Sequence, residues 1–91
     1  MLYAIICLDK PGSGEIRKAN REAHLAHIRN AGQAIVEAGP FLDGAGAMCG
    51  SLVIYEGREK AEAEAWAATD PYGKAGLFER VEIRAWKKVV G

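Results

Sequence analysis

The feature that most constrains this chain is the order in which its hydrophobic periodicity changes. Residues 2–8 are apolar on both sides of a strand: Leu2, Ala4, Ile6 and Leu8 share one face, Tyr3, Ile5 and Cys7 the other. Residues 51–56 do the same, with Leu52 and Ile54 against Val53 and Tyr55. The last run, residues 78–89, is apolar on one side only, where Val81, Ile83 and Ala85 alternate with Arg80, Glu82 and Arg84. A strand covered on both faces is apolar throughout, whereas a half-solvated strand alternates. The first and third strands therefore belong in the middle of a sheet, and the second and fourth at its edges.

Between these runs the period becomes helical. The spacing predicts a long helix over residues 15–38, stopped by Gly39-Pro40, since glycine suits the position past a helix end and proline cannot continue one. Residues 41–48 read as a weaker strand in which Gly44 and Gly46 suggest a bulge, a bend or a close backbone approach. The alanine-rich stretch from Arg58 to Thr69 has high helix propensity and must end before Pro71, because proline drives the preceding residue out of the helical conformation. The order is β-α-β-β-α-β, the split-βαβ arrangement. It implies an α+β, ferredoxin-like domain over residues 1–91, with a four-stranded antiparallel sheet and two helices on one face. The other sheet face would carry apolar side chains from both central strands, and a two-fold homodimer packed sheet to sheet would bury it.

Composition excludes several classes. Lys+Arg 12 against Asp+Glu 12 leaves no net charge, so there is no basic field for nucleic acid. No apolar run approaches the ~18 residues of a membrane span. The opening Met-Leu-Tyr-Ala-Ile-Ile-Cys-Leu lacks a basic start and a cleavage site and reads as a strand, not an export signal. Cys7 and Cys49 match no zinc or redox spacing, which points to free thiols and the cytoplasm.

Chemistry concentrates on two segments. At 100° per residue, Arg17, Arg21, His24, Ile28, Ala31 and Ile35 form one stripe of the first helix, apolar toward its end and Arg/His toward its start. A helix lining the mouth of a cleft has this pattern; so does a histidine at the border of core and solvent. His24 is the candidate general acid/base, since an unperturbed imidazole titrates near pH 6.5. Asp70, just before Pro71, is placed as the cap of a new helical turn. It is either an ordinary cap or the carboxylate that fixes the His24 tautomer and stabilises its imidazolium. Arg21, one turn before His24, is either a fork for an anionic substrate group or a solvated charge, and Arg17 has the same geometry with a weaker claim. Ser51 offers a hydroxyl to a ligand or to His24, without the Gly-x-Ser-x-Gly setting of a nucleophile. Tyr72 offers a hydroxyl or a ring wall. His27 defaults to a solvated side chain: it has no companion ligands, and nearby arginines oppose a cation, so no metal is expected. No motif calls for a cofactor, Gly12-x-Gly14 being too short for a nucleotide fingerprint.

Taken together, Arg21, His24 and Leu25, Gly50-Ser51-Leu52, Asp70-Pro71-Tyr72, Lys74-Ala75-Gly76-Leu77-Phe78, Val81-Glu82-Ile83 and Trp86 resemble the YciI-like (YCII-related) family over essentially the whole chain. The resemblance implies a dimeric α+β barrel built from ferredoxin-like subunits, with the active site at a His–Asp pair, here His24 and Asp70, and with mostly unassigned activities. Two functions follow as expectations. One is a small cytoplasmic enzyme that moves protons on a small, anionic, aromatic or lactone molecule held by Arg21, Ser51 and Tyr72. The other is a non-catalytic dimer that only binds such a molecule.

Overall fold

The computed structural model describes residues 1–91. The chain forms β1 (Leu2–Asp9), α1 (Gly14–Ala31), a 3₁₀ turn (Gly32–Ala34), β2 (Ile35–Leu42), β3 (Met48–Glu56), α2 (Lys60–Ala68), α3 (Pro71–Lys74) and β4 (Phe78–Trp86). The sheet order is β2-β3-β1-β4 with every neighbouring pair antiparallel. The strands with two apolar faces, β1 and β3, are the central ones, and the fold is the ferredoxin-like α+β arrangement.

Several boundaries differ from the sequence expectation. The first helix stops at Ala31, not at residue 38, because Gly32 takes a left-handed conformation (φ 58°) and turns its N–H back to the Arg29 carbonyl. Only glycine adopts that geometry without steric penalty. Ile35 therefore leaves the helical stripe, and the second strand occupies residues 35–42 instead of 41–48. Gly39 and Pro40 lie inside that strand, where proline is tolerated because β2 is an edge paired only with β3. Of the readings for Gly44 and Gly46, the bend is what forms, not a bulge. They belong to the β2–β3 hairpin turn, closed by the Asp43 N–H to Ala47 carbonyl bond and by the Asp43 carboxylate accepting from the Ala45 and Ala47 N–H groups. At the other end β4 stops at Trp86 instead of reaching residue 89.

The core lies between the sheet and the helices. Tyr3, Ile5, Cys7 and Val53 pack beneath Ala63 of α2, with Trp66, Ala67, Phe78 and Ile83 around them. Gly50 sets the closeness of β1 and β3: a Cβ there would lie 2.5 Å from the Cys7 carbonyl oxygen. On the opposite sheet face Ile6 and Leu52 are half-buried and Leu8 is 41% exposed, bordered by Arg80, Glu82 and Arg84 of β4.

Candidate active site

The α2–α3 junction delivers one half of the site and α1 the other. Asp70 has extended backbone (φ −63°, ψ 125°) with Pro71 opening α3, and its Oδ1 accepts the Tyr72 N–H at 2.9 Å. The same carboxylate meets His24 of α1: Nδ1 lies 3.0 Å from Oδ1 and 3.1 Å from Oδ2, across 46 positions of sequence. Both residues are buried, at 6% and 5% exposure. A carboxylate only accepts, so Nδ1 carries a hydrogen, and in the neutral ring it is Nε2 that holds the lone pair. Tyr72, itself buried, stacks on the imidazole with ring centroids 4.1 Å apart. Burial pushes the Tyr72 phenol up despite the opposing pull of Arg17 and Arg21, so it stays neutral at physiological pH.

A second buried ion pair lies beside the first. Arg17 donates from Nε to Asp9 Oδ2 at 2.7 Å and from Nη2 to Asp9 Oδ1 at 3.0 Å. Nη2 also donates to Ser51 Oγ at 3.1 Å, and the guanidinium carbon stands 4.6 Å from the Tyr72 ring centre. Burial works against the Arg17 charge, but its hydrogen bond and charge contact with Asp9 outweigh burial, and the guanidinium pKa lies above its usual value. Arg21 is different: it is exposed at the cavity rim and holds no carboxylate.

These groups surround one end of a cavity of about 220 Å³. Arg17, Arg21, His24, Ser51 and Tyr72 form its polar end, and Leu25, Ile28, Pro40, Met48 and Val53 its apolar walls. Drug-sized ligands occupy about 300–1,000 Å³, so this space suits a single ring. A wider groove of about 1010 Å³ between α2 and β4 gathers Lys60, Glu64 and Arg84 around apolar positions but no His–carboxylate pair.

All five residues singled out from the sequence, His24, Asp70, Arg21, Ser51 and Tyr72, come together here. His27 departs from its expected solvated state. It is half-buried, its Nε2–H donates to the Trp66 carbonyl at 3.1 Å, and its ring stacks on Trp66 at 4.4 Å. Asp9 was missed and Arg17 underweighted. The signal for Asp9 was parity: it falls on the same side of β1 as Tyr3, Ile5 and Cys7, beneath α1. Cys7 is a packing thiol, pushed up to about 12 by burial and then by the charges of Asp70 and Asp9. No three His, Cys, Asp or Glu side chains cluster as metal ligands would.

Comparison with known proteins agrees with this architecture. Protein YciI of Escherichia coli is 41% identical over 98% of this chain and 99% of its own length. An uncharacterized protein of Haemophilus influenzae is 36% identical over 98% of this chain and 99% of its own. Among solved structures, the 5-chloro-2-hydroxyhydroquinone dehydrochlorinase TftG of Burkholderia phenoliruptrix, in complex with 2,5-dihydroxybenzoquinone, is 37% identical. It superposes with a TM-score of 0.89 over 96% of this chain and 94% of its own. An antibiotic biosynthesis monooxygenase at 16% identity and a TM-score of 0.58 shares the fold alone. No helix is long and apolar enough to cross a membrane. Residues 1–87 match the family model of the YCII-related domain, and the chain belongs to that family.

Proposed function

We propose that the cavity binds a small, oxygenated single-ring molecule and that His24 moves a proton on it, with Asp70 as the orienting carboxylate. The observation that carries this reading is the approach of both Asp70 oxygens to His24 Nδ1, which leaves Nε2 as the basic nitrogen of a cavity-lining ring. Nε2 takes a proton from a ring hydroxyl or from a carbon next to a carbonyl. The electron pair left behind moves into the ring and either shifts a double bond or expels a leaving group with its bonding pair. The imidazolium, stabilised by Asp70, then returns its proton to the product or to solvent. Isomerisation and elimination both need this one proton movement. In lactone opening Nε2 takes the proton instead from a water that adds to the carbonyl carbon, and the imidazolium gives it to the alkoxide oxygen as the acyl C–O bond breaks.

In this reading Arg21 supplies positive charge for an anionic group, Ser51 a hydrogen bond, and Tyr72 a ring wall beside His24. The ring-shaped quinone ligand of the 37%-identical dehydrochlorinase supports the ligand class. The working unit is a homodimer packed through the sheet face that carries Ile6, Leu8 and Leu52, and two free thiols suit a reducing cytoplasm.

The test compares wild type with His24→Ala across hydroxyquinols, hydroxyquinones and small lactones. Loss of about 10²- to 10⁴-fold in kcat/KM is expected for a missing general acid/base. Saturable binding with no turnover by wild type on any of these would leave the non-catalytic, ligand-binding dimer.

A further inference from the structure

We infer that Asp9 and Arg17 form a positioning pair that makes Ser51 a dedicated hydrogen-bond donor, so that the cavity selects ligands presenting a carbonyl or oxyanion oxygen to it. This rests on the cavity being the ligand site. A serine hydroxyl has one rotatable hydrogen and two lone pairs, and by itself serves a donor or an acceptor equally. A guanidinium has donors only. With Arg17 Nη2 at 3.1 Å, Ser51 Oγ must accept at that contact, and its hydrogen turns elsewhere. Ser51 is 4% exposed and lines the cavity, and its only side-chain hydrogen bond is the one it accepts from Arg17. One lone pair is taken by Arg17; the hydrogen and the second lone pair remain. Since no protein group accepts that hydrogen, only an acceptor in the cavity satisfies it, while donation from a charged group strengthens it as a donor.

Asp9 supplies the direction. Its two bonds at 2.7 and 3.0 Å hold the guanidinium as a fixed fork, which aims Nη2 at Ser51. They also balance the Arg17 charge, so that Arg17 orients without attracting anions, and Arg21 carries the free charge at the rim. The polar end thus reads two features: a proton to give to His24 Nε2 and a lone-pair oxygen to receive from Ser51. Enolised dicarbonyl and hydroxyquinone rings carry both. A ring with only donors on that side would leave the Ser51 hydrogen buried and unpaired, which is unfavourable.

The experiment is calorimetric titration with 2,5-dihydroxybenzoquinone as the probe. Ser51→Ala is expected to weaken binding by about 10- to 100-fold, the range for a hydrogen bond with a charged partner, and Ser51→Thr to restore most of it. Asp9→Asn is expected to weaken binding in wild type and to add nothing in a Ser51→Ala background, the coupling signature of groups acting in series. A role in folding alone would give additive losses and would overturn the relay. Asp9→Asn opens a buried ion pair and can fail to fold, so the Ala/Thr contrast at Ser51, which leaves that pair intact, decides the donor claim by itself. Wild-type affinity in Ser51→Ala together with lost affinity in His24→Ala overturns this inference and spares the cavity. Wild-type affinity in His24→Ala places the probe elsewhere and sinks the cavity reading instead. A wild type that does not bind the probe removes hydroxyquinones from the ligand class, and this inference with them.

Discussion

Tyr72 lies nearly flat on His24, with ring planes 17° from parallel and centroids 4.1 Å apart. Its backbone N–H is held by Asp70, and Asp70 in turn holds the His24 ring. The three residues close a triangle in which each side fixes the other two. Several consequences can be measured.

Asp70 is both the cap of α3 and the partner of His24, and the two roles separate by substitution. Asp70→Asn keeps an oxygen for the Tyr72 N–H and is as good a cap as aspartate, but it loses the charge that stabilises an imidazolium. Its stability is expected within about 1 kcal/mol of wild type while turnover falls by about 10²-fold or more. Asp70→Ala loses the cap as well, a further loss of about 1 kcal/mol. Thermal denaturation alongside turnover checks this; equal stability of the two variants would contradict the capping role.

The stack is testable apart from the hydroxyl. Tyr72→Phe keeps the aromatic face against His24, whereas Tyr72→Leu removes a contact worth about 0.5–1.5 kcal/mol beyond its buried area. Proton NMR of the His24 ring reads the difference. The ring-current displacement of its signals should persist in Tyr72→Phe and vanish in Tyr72→Leu.

Cys7 predicts the alkaline limit of the fold. Its thiol is pushed from 9.0 up to about 12, by burial first and then by Asp70 and Asp9. A raised folded-state pKa means that the native state holds this proton more tightly than the unfolded chain. The associated stability is present below about pH 9 and is lost as pH rises toward 12. Urea midpoints should fall through that window, and less steeply in Cys7→Ala. In the native state a thiol reagent should modify the half-exposed Cys49 well before the buried Cys7.

The proposed dimer face is tested at the exposed Leu8 and the half-buried Leu52. Leu8→Glu and Leu52→Glu place charges on the sheet face away from the helices, where burial against a second copy would leave them unpaired. Light scattering should give twice the chain mass for wild type and the single-chain mass for the double variant, with far-UV circular dichroism unchanged. A wild type of single-chain mass at micromolar concentration would remove the dimer.

Much of the fold was legible because it is written in side-chain alternation. The two-faced apolar runs of β1 and β3 identify the central strands without reference to anything distant. The end of α1 was not legible, because Gly32 sits among good helix formers, Ala31 and Gln33-Ala34, while Gly39-Pro40 is stronger punctuation. Only tertiary structure decides that Gly32 takes the left-handed turn and that Pro40 lies on an unpaired edge. The polar stripe of α1 marked His24 and Arg21 correctly as neighbours. The distance from His24 to Asp70 had no local signature, since it depends on how α3 docks on α1. Asp9 was hidden by its surroundings: next to Lys10-Pro11-Gly12 it reads as turn chemistry, although its strand parity points it beneath α1.

The stacks of His24 on Tyr72 and of His27 on Trp66 act as a ruler between two stretches of backbone. Successive turns of α1 are matched to Trp66 and Tyr72, so the number of residues between those aromatics is not free to drift. One residue inserted after Trp66 would swing everything beyond it by about 100° and carry the Asp70 carboxylate away from the imidazole. The hairpin at residues 43–47 measures nothing of this kind. Natural variation in chain length should therefore collect there and be absent from the segment joining α2 to α3.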